Sequence, residues 1–294
     1  MPWPFVLLLA AIAAVWLPLP RGWPALIPAW ALLFAAALAG GWAQGLLEPA
    51  ALAALLLLVL LAELVARTRG SLWQGPAWAL LLLWCAALVL HRVPGFHNPV
   101  AIDAVRFTPD AAPFTQYLNF DKGAVGLVLL ARLAPRLRRG DPLGRLAATT
   151  ALAWALTSAA VLGLALAMGL VHPAFKLPAQ AGLFLAVNLF LTCVAEQALF
   201  RLLVQDRLRA WRVGGASGMA SAASMGIVGV VLSALLFGLV HAGGGALMVL
   251  LASLAGLGHA IVYERTRRIE APILVHFGLN ATHVLAFTYP AVLG

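Results

Sequence analysis

The stretch AGLFLAVNLFLTCVAEQALFRLLVQ, residues 181–205, predicts a membrane-spanning helix with charged side chains in its last third. Its apolar run is long enough for a bilayer crossing, which needs about 20 residues, yet it contains Glu196, Gln197 and Arg201. A charge in a lipid-spanning segment is unfavourable by about 3 kcal/mol, so such residues usually face a protein interior or a water-filled cavity. We therefore expect other polar residues of the chain to share a cavity with Glu196.

The composition is that of a polytopic membrane protein. Of the 294 residues, 63% are hydrophobic and 10% are charged, whereas a soluble domain is about half apolar and a quarter charged. The net charge of +9 could indicate nucleic-acid binding, but the basic residues are scattered between apolar runs and form no phosphate-binding stripe. The positive-inside bias of membrane loops explains them better, and no nucleic-acid partner is predicted.

Apolar runs separated by prolines and charges predict an all-α fold, a polytopic transmembrane helix bundle of about ten spans. The predicted spans are 3–20, 24–44, 49–66, 72–90, 121–133, 146–171, 181–205, 224–240, 246–262 and 272–289. Four prolines between residues 91 and 120 forbid a long helix there, so that segment is expected to be extramembrane. We divide the chain into N-terminal helices of unknown role (1–92), an extramembrane loop (93–120), linking helices (121–175) and a C-terminal catalytic helix core (176–294).

The basic residues predict the orientation of these spans. The strongly basic turns fall in every second connection between spans, at 21, 67–69, 132–145, 207–212 and 265–268, while the connections between them include Glu48, the 91–120 loop and Lys176. The positive-inside rule makes their side cytoplasmic, and the Ala/Leu/Arg-rich composition is typical of a bacterial protein. The sequence therefore predicts a multi-pass protein of the bacterial cytoplasmic (inner) membrane, with its active site toward the cytoplasmic side.

Polar residues in the eighth and tenth spans are candidates to share the cavity. His241 ends the eighth span, and His276 and Asn280 lie in the tenth. Because His276 and Asn280 are four residues apart, their side chains lie on one helical face. Phe237 is likewise four residues before His241, which places its ring beside the imidazole. Three helices then offer a carboxylate, two imidazoles and an amide.

These groups are suited to hydrolysis without a covalent intermediate. A glutamate and a histidine can deprotonate water, and a second histidine and an asparagine can donate hydrogen bonds to the resulting oxyanion. A serine mechanism is not indicated, since GxSxG is absent. Glu196, His241 and His276 could instead bind Zn²⁺ with an open position, although the sequence has no HExxH. No cofactor is therefore expected, with zinc as the alternative.

Three motifs together resemble the CAAX protease and bacteriocin-processing (CPBP) family of intramembrane proteases, which includes the type II CAAX prenyl endopeptidases. That family has E-E-x-x-x-R, F-x-x-x-H and H-x-x-x-N on successive C-terminal membrane helices. This chain has EQALFR at 196–201, FGLVH at 237–241 and HFGLN at 276–280. Each motif is weak alone, but the three in order, each on a predicted helix, are specific. The resemblance covers about residues 180–290.

The resemblance implies the role of each motif residue. Glu196 would activate a water molecule with help from His241, and His276 and Asn280 would hold the tetrahedral oxyanion. The remaining motif positions, which we expect to support the site, are Gln197, Arg201 and Phe237. The sequence departs from the family at Gln197, where the family has a second glutamate. This departure weakens a two-carboxylate site and, with it, the zinc alternative.

The sequence and the resemblance together predict an intramembrane endopeptidase of the glutamate type that cleaves a membrane-associated protein or peptide. The glutamine at position 197 supports a second alternative, a catalytically inactive relative that acts as a binding or immunity partner. A proton- or ion-coupled transporter, with the same polar residues along its path, is the third alternative. A transporter would be expected to have broken helices and internal repeats, and the sequence has no clear repeat.

Overall fold

A computed structural model describes residues 1–17, 27–68, 73–135, 142–210 and 219–293. Residues 219–224 are described by their backbone alone. Ends of three predicted spans, at 18–20, 24–26 and 72, lie outside the described residues, as do several residues of the predicted basic turns. Those basic residues are Arg21, Arg69, Arg136, Arg138, Arg139 and Arg212.

A helix occupies each of the ten predicted positions. In chain order the helices are α1 (Trp3–Ala14), α2 (Ala29–Ala43), α3 (Pro49–Arg67), α4 (Gln74–Val89), α5 (Phe120–Leu133), α6 (Leu143–Ala167), α7 (Ala181–Ala210), α8 (Met219–Leu239), α9 (Gly245–Thr266) and α10 (Glu270–Ala286). The chain is therefore mostly helical, as predicted, and the all-α class fits apart from one short hairpin.

Four helices of the described residues are long and apolar enough to cross a membrane. They are α3, α6, α7 and the segment Ala242–Thr266, which contains α9 and a preceding 3₁₀ turn. The helices α1, α2 and α4, and residues Met225–Leu239 of α8, are apolar but shorter. These helices indicate an integral membrane protein, while the count of about ten crossings stays a prediction.

The described chain forms two compact units. The first unit contains Met1–Ala101, Tyr117–Arg138 and Phe190–Leu199, and its central element is α5, which packs on α1, α3, α4 and the α7 turn at Val194–Gln197. Two glycines allow this close approach. A methyl group at Gly126 would lie 3.0 Å from the backbone of Ala195, and one at Gly123 would lie 2.6 Å from Leu191.

Polar contacts fix the start of α5 within this first unit. The Asp121 carboxylate is buried and lies 2.7 Å from Nδ1 of His91, while Asn98 donates to its other oxygen at 3.2 Å. Asn98 also accepts a hydrogen bond from the backbone N–H of Phe120 at 2.9 Å. The loop that follows α4 therefore holds the first turn of α5 in place.

The second unit contains Ile102–Gln116, Arg139–Leu189 and Phe200–Gly294. Its helices α6, α9 and α10 pack on one another, and α8 packs on α9. Small residues again set the spacing, since a methyl group at Gly256 would lie 3.1 Å from the Ala234 carbonyl oxygen of α8. Val161, Leu162, Ala255 and Leu279 form the core shared by α6, α9 and α10.

The predicted extramembrane loop contains a hairpin that the sequence analysis did not anticipate. Its strands are β1 (Val100–Val105) and β2 (Phe114–Tyr117), and they form a two-stranded sheet. In the second unit, Phe114 packs against Phe184 of α7 and Tyr289, with ring centroids 5.6 and 5.0 Å apart. Prolines exclude a helix here, but valine and phenylalanine still favour short strands with an aromatic face.

Candidate active site

The helix α7 is irregular around the predicted catalytic glutamate. Two π-helical segments, Asn188–Cys193 and Ala198–Gln205, flank one α-helical turn, Val194–Gln197, which contains Glu196. A π-helical turn is rare and frequently lies at a functional site, because the wider turn redirects side chains. Sequence periodicity based on 3.6 residues per turn could not have predicted these segments.

Glu196 forms an ion pair in the first unit that the sequence analysis missed. The Lys122 ammonium in the first turn of α5 donates to Oε1 of Glu196 at 2.6 Å. The two side chains are only 14% and 13% exposed, so little water competes for this contact. Asp121, the neighbour of Lys122, is held by His91 and Asn98 as described above. The only signal in the sequence was a lysine at the start of a short apolar helix.

His241, His276 and Asn280 line a single cavity in the second unit. The cavity has a volume of about 500 Å³, and most of its wall is apolar, from α6, α8, α9, α10 and the C-terminal segment near Tyr289. His283, one turn beyond Asn280, also lines it. An apolar cavity with a few convergent polar groups is the usual form of a ligand or substrate site.

The ring of Phe237 lies between the histidines of this cavity. Its centroid is 4.9 Å from that of His241 and 5.7 Å from that of His276, so the predicted proximity of Phe237 and His241 is confirmed. Phe237 also contacts His259 of α9, whose buried ring is 4.7 Å from that of His276. His259, which belongs to none of the three motifs, therefore packs directly on His276, a predicted oxyanion ligand.

Backbone contacts define the proton positions on two cavity histidines. Nδ1 of His241 lies 2.7 Å from the Phe237 carbonyl oxygen, which can only accept, so Nδ1 carries the hydrogen. In the neutral ring, Nε2 of His241 is then the basic nitrogen. Nε2 of His283 contacts the Thr288 carbonyl oxygen at 3.2 Å and is its donor. His283 therefore ties α10 to the C-terminal segment.

Asn280 is held by a partner on α7. Its amide nitrogen donates to Oδ1 of Asn188 at 3.2 Å, and both residues belong to the second unit. Asn188 is 6% exposed, so the contact is sheltered from water. This hydrogen bond orients the amide of Asn280 at the cavity wall.

The two supporting polar residues of the first motif are fully buried. Arg201 donates from Nη1 to Oε1 of Gln205 at 2.7 Å, and Gln205 in turn donates to the Ala260 carbonyl oxygen at 3.0 Å. Arg201 is thus linked through Gln205 to α9, a neighbouring helix. Gln197 is buried, and it lies in the first unit, as does Glu196.

The structure therefore groups the four predicted catalytic residues in two sets. His241, His276 and Asn280 line one cavity in the second unit, while Glu196 lies in the first unit beside Lys122. The presence of Glu196 in the same site as the other three stays a prediction of the sequence motifs.

Comparisons with known proteins address the family that the motifs resemble. Residues 178–282 match the family model described as "Type II CAAX prenyl endopeptidase Rce1-like". No curated protein and no solved structure matches the chain. The matched segment includes all three motifs, and the matching model describes a family of proteases. The resemblance predicted from the motifs is thus confirmed, since residues 178–282 match the model of the Rce1-like type II CAAX prenyl endopeptidases.

Proposed function

We propose that the chain is an intramembrane endopeptidase that hydrolyses a peptide bond of a membrane-associated protein or peptide. The observation that carries the proposal is the cavity in which His241, His276 and Asn280 converge. The match of residues 178–282 to a CAAX endopeptidase family supports the same reaction class. The substrate would be a bacterial peptide or anchored precursor, cleaved near the cytoplasmic face of the inner membrane.

The proposed reaction begins with activation of water. The Glu196 carboxylate, assisted by Nε2 of His241, takes a proton from water, and the hydroxide attacks the scissile carbonyl carbon. Donors from His276 and Asn280 stabilise the oxyanion of the tetrahedral intermediate. The proton taken from water then passes to the leaving amine as the C–N bond breaks. No covalent enzyme intermediate forms.

Lys122 is a positioning residue in this mechanism. Its ammonium holds Oε1 of Glu196 at 2.6 Å, which fixes the plane of the carboxylate and balances its charge in a poorly hydrated setting. Truncating one partner of a buried ion pair leaves the other charge uncompensated. The contact therefore supports an ionised Glu196 that is oriented before the substrate binds.

The ion pair also supports a mechanism without metal. A zinc site built on Glu196, His241 and His276 would place a divalent cation at a carboxylate that already contacts an ammonium, and the two cations would repel each other. An ammonium is therefore a poor fit beside a zinc ligand. We derive no catalytic step through a metal.

The test compares the wild type with Glu196→Ala, each reconstituted with candidate membrane substrates from the same cell. Cleavage should disappear in Glu196→Ala and persist in Glu48→Gln, which alters a glutamate that is 54% exposed. Cleavage that survives in Glu196→Ala would refute the mechanism. Substrate binding without cleavage by the wild type would favour the inactive-relative alternative, and solute or proton flux would favour a transporter.

A further inference from the structure

A second cavity of the second unit is lined by arginines. It has a volume of about 590 Å³ and lies between the N-terminal end of α6 and the C-terminal end of α9. Arg145, Arg265 and Arg268 line it, together with Thr149. None of the eight described residues that line this cleft is acidic. The described lining of the cleft therefore carries a cluster of positive charges outside the proposed active site.

Two described carboxylates near the cleft, those of Glu264 and Asp206, are engaged by other arginines. Glu264 contacts Arg209 at 2.9 Å and Arg267 at 3.3 Å, and Asp206 contacts Arg267 at 2.5 Å. Burial opposes the charge of Arg267 most strongly, yet Asp206, Tyr263 and Glu264 together raise the pKa of its guanidinium. Glu264 and Asp206 are therefore ion-paired with Arg209 and Arg267.

Arg145 and Arg265 are exposed, and unlike Arg209 and Arg267 they form no ion pair with any described carboxylate. Both project at helix ends, so their guanidinium groups are accessible from the cleft. Guanidinium groups offer several donors in a planar fork that matches a phosphate, and two or three of them around one cleft suit a bidentate contact. Their charges are therefore available to an external anion.

The cleft lies at the ends of two membrane-length helices. The 25 residues of α6 and the 22 of α9 extend about 37 and 33 Å at 1.5 Å per residue, more than the hydrocarbon core of about 30 Å. Their ends therefore reach the headgroup region. Leu152 in the cleft wall is 58% exposed, as are Leu143 and Leu156 of α6 to similar extents. An acyl chain can pack along this apolar face.

We propose that the cleft binds a phosphate group presented by the headgroup of an anionic phospholipid. The arginines and Thr149 would contact the phosphate, and the leucines of α6 would contact the acyl chains. Basic pockets between membrane helices bind anionic headgroups on the cytoplasmic side, which is also the side predicted for these turns. This site is independent of the proposed proteolytic activity.

The test is a lipid titration of the full chain in detergent, followed by native mass spectrometry. The wild type should retain phosphatidylglycerol in preference to phosphatidylcholine. The double variant Arg145→Gln/Arg265→Gln should lose about fivefold in apparent affinity for each arginine removed, or about 25-fold in all. The matched control is Arg92→Gln/Arg106→Gln, which removes two exposed arginines elsewhere and should bind phosphatidylglycerol like the wild type.

Two results would overturn the proposal. Equal retention of phosphatidylglycerol by the cleft variant and the control would show that the arginines do not form the site. The second measurement adds inorganic phosphate as a competitor, because it offers the same phosphate chemistry without acyl chains. If it displaces phosphatidylglycerol at equal concentration, the cleft is a site for free phosphate and the lipid assignment is wrong. A thermal unfolding scan of each variant identifies any loss of binding that results from misfolding.

Discussion

Replacing Lys122 with methionine removes the ammonium that contacts Glu196 and keeps a side chain of similar length. A hydrogen bond to a charged group contributes about 1.5–3 kcal/mol net, and loss of one partner from a fully buried ion pair costs about 3–5 kcal/mol. Because both side chains retain 13–14% exposure, we take a value of about 2 kcal/mol. At about 1.4 kcal/mol per factor of ten, kcat should fall about 30-fold.

The assay is steady-state cleavage in proteoliposomes, with kcat and KM measured separately. Since Lys122 acts through Glu196 rather than on the substrate, KM should change little. Lys122→Arg keeps the positive charge and should recover kcat to within about fivefold of the wild type. Arg92→Gln is the matched control, because it removes an exposed cation from the same unit and should leave kcat unchanged. Rates are normalised to the folded fraction from a thermal scan.

The outcomes separate the role of Lys122 from the protease proposal itself. If Lys122→Met retains kcat within twofold while Glu196→Ala is inactive, Lys122 does not position the catalytic carboxylate. If Lys122→Arg is as impaired as Lys122→Met, the contact depends on shape rather than charge, and the electrostatic reasoning is wrong. If Glu196→Ala still cleaves, the proposed mechanism fails whatever Lys122 does.

Three further predictions follow from the packing and the site. Gly126→Val should lower the free energy of unfolding by about 1–3 kcal/mol, because a Cβ there would lie 3.0 Å from Ala195. The control is Gly163→Ala, which has open space around the new methyl group and should leave the unfolding temperature in a thermal scan unchanged. Asn188→Ala should reduce kcat about fivefold, less than Asn280→Ala, because it only orients the amide of Asn280; equal losses would contradict this. A zinc chelator should leave the cleavage rate unchanged, and inhibition that added zinc reverses would contradict the metal-free mechanism.

The helices were predictable because apolar runs bounded by prolines and charges determine where each helix lies. All ten predicted positions are helical, and most ends agree within a few residues. α7 continues to Ala210, beyond the predicted end at 205, since the sequence DRLRA favours a helix although it is too polar for lipid. The hairpin of Val100–Val105 and Phe114–Tyr117 escaped prediction, because strand pairing depends on tertiary contacts of its aromatic residues.

The candidate site was predictable only where its residues follow helical spacing. Phe237 and His241, four residues apart, are in contact as predicted. Lys122 is 74 residues from Glu196, and no periodicity links them; their contact depends on glycines that bring α5 to within van der Waals distance of α7. A motif therefore identifies the groups that we propose to react. The residue that balances the charge of Glu196 lies outside the family-matched segment 178–282 and becomes visible only when the helices are packed.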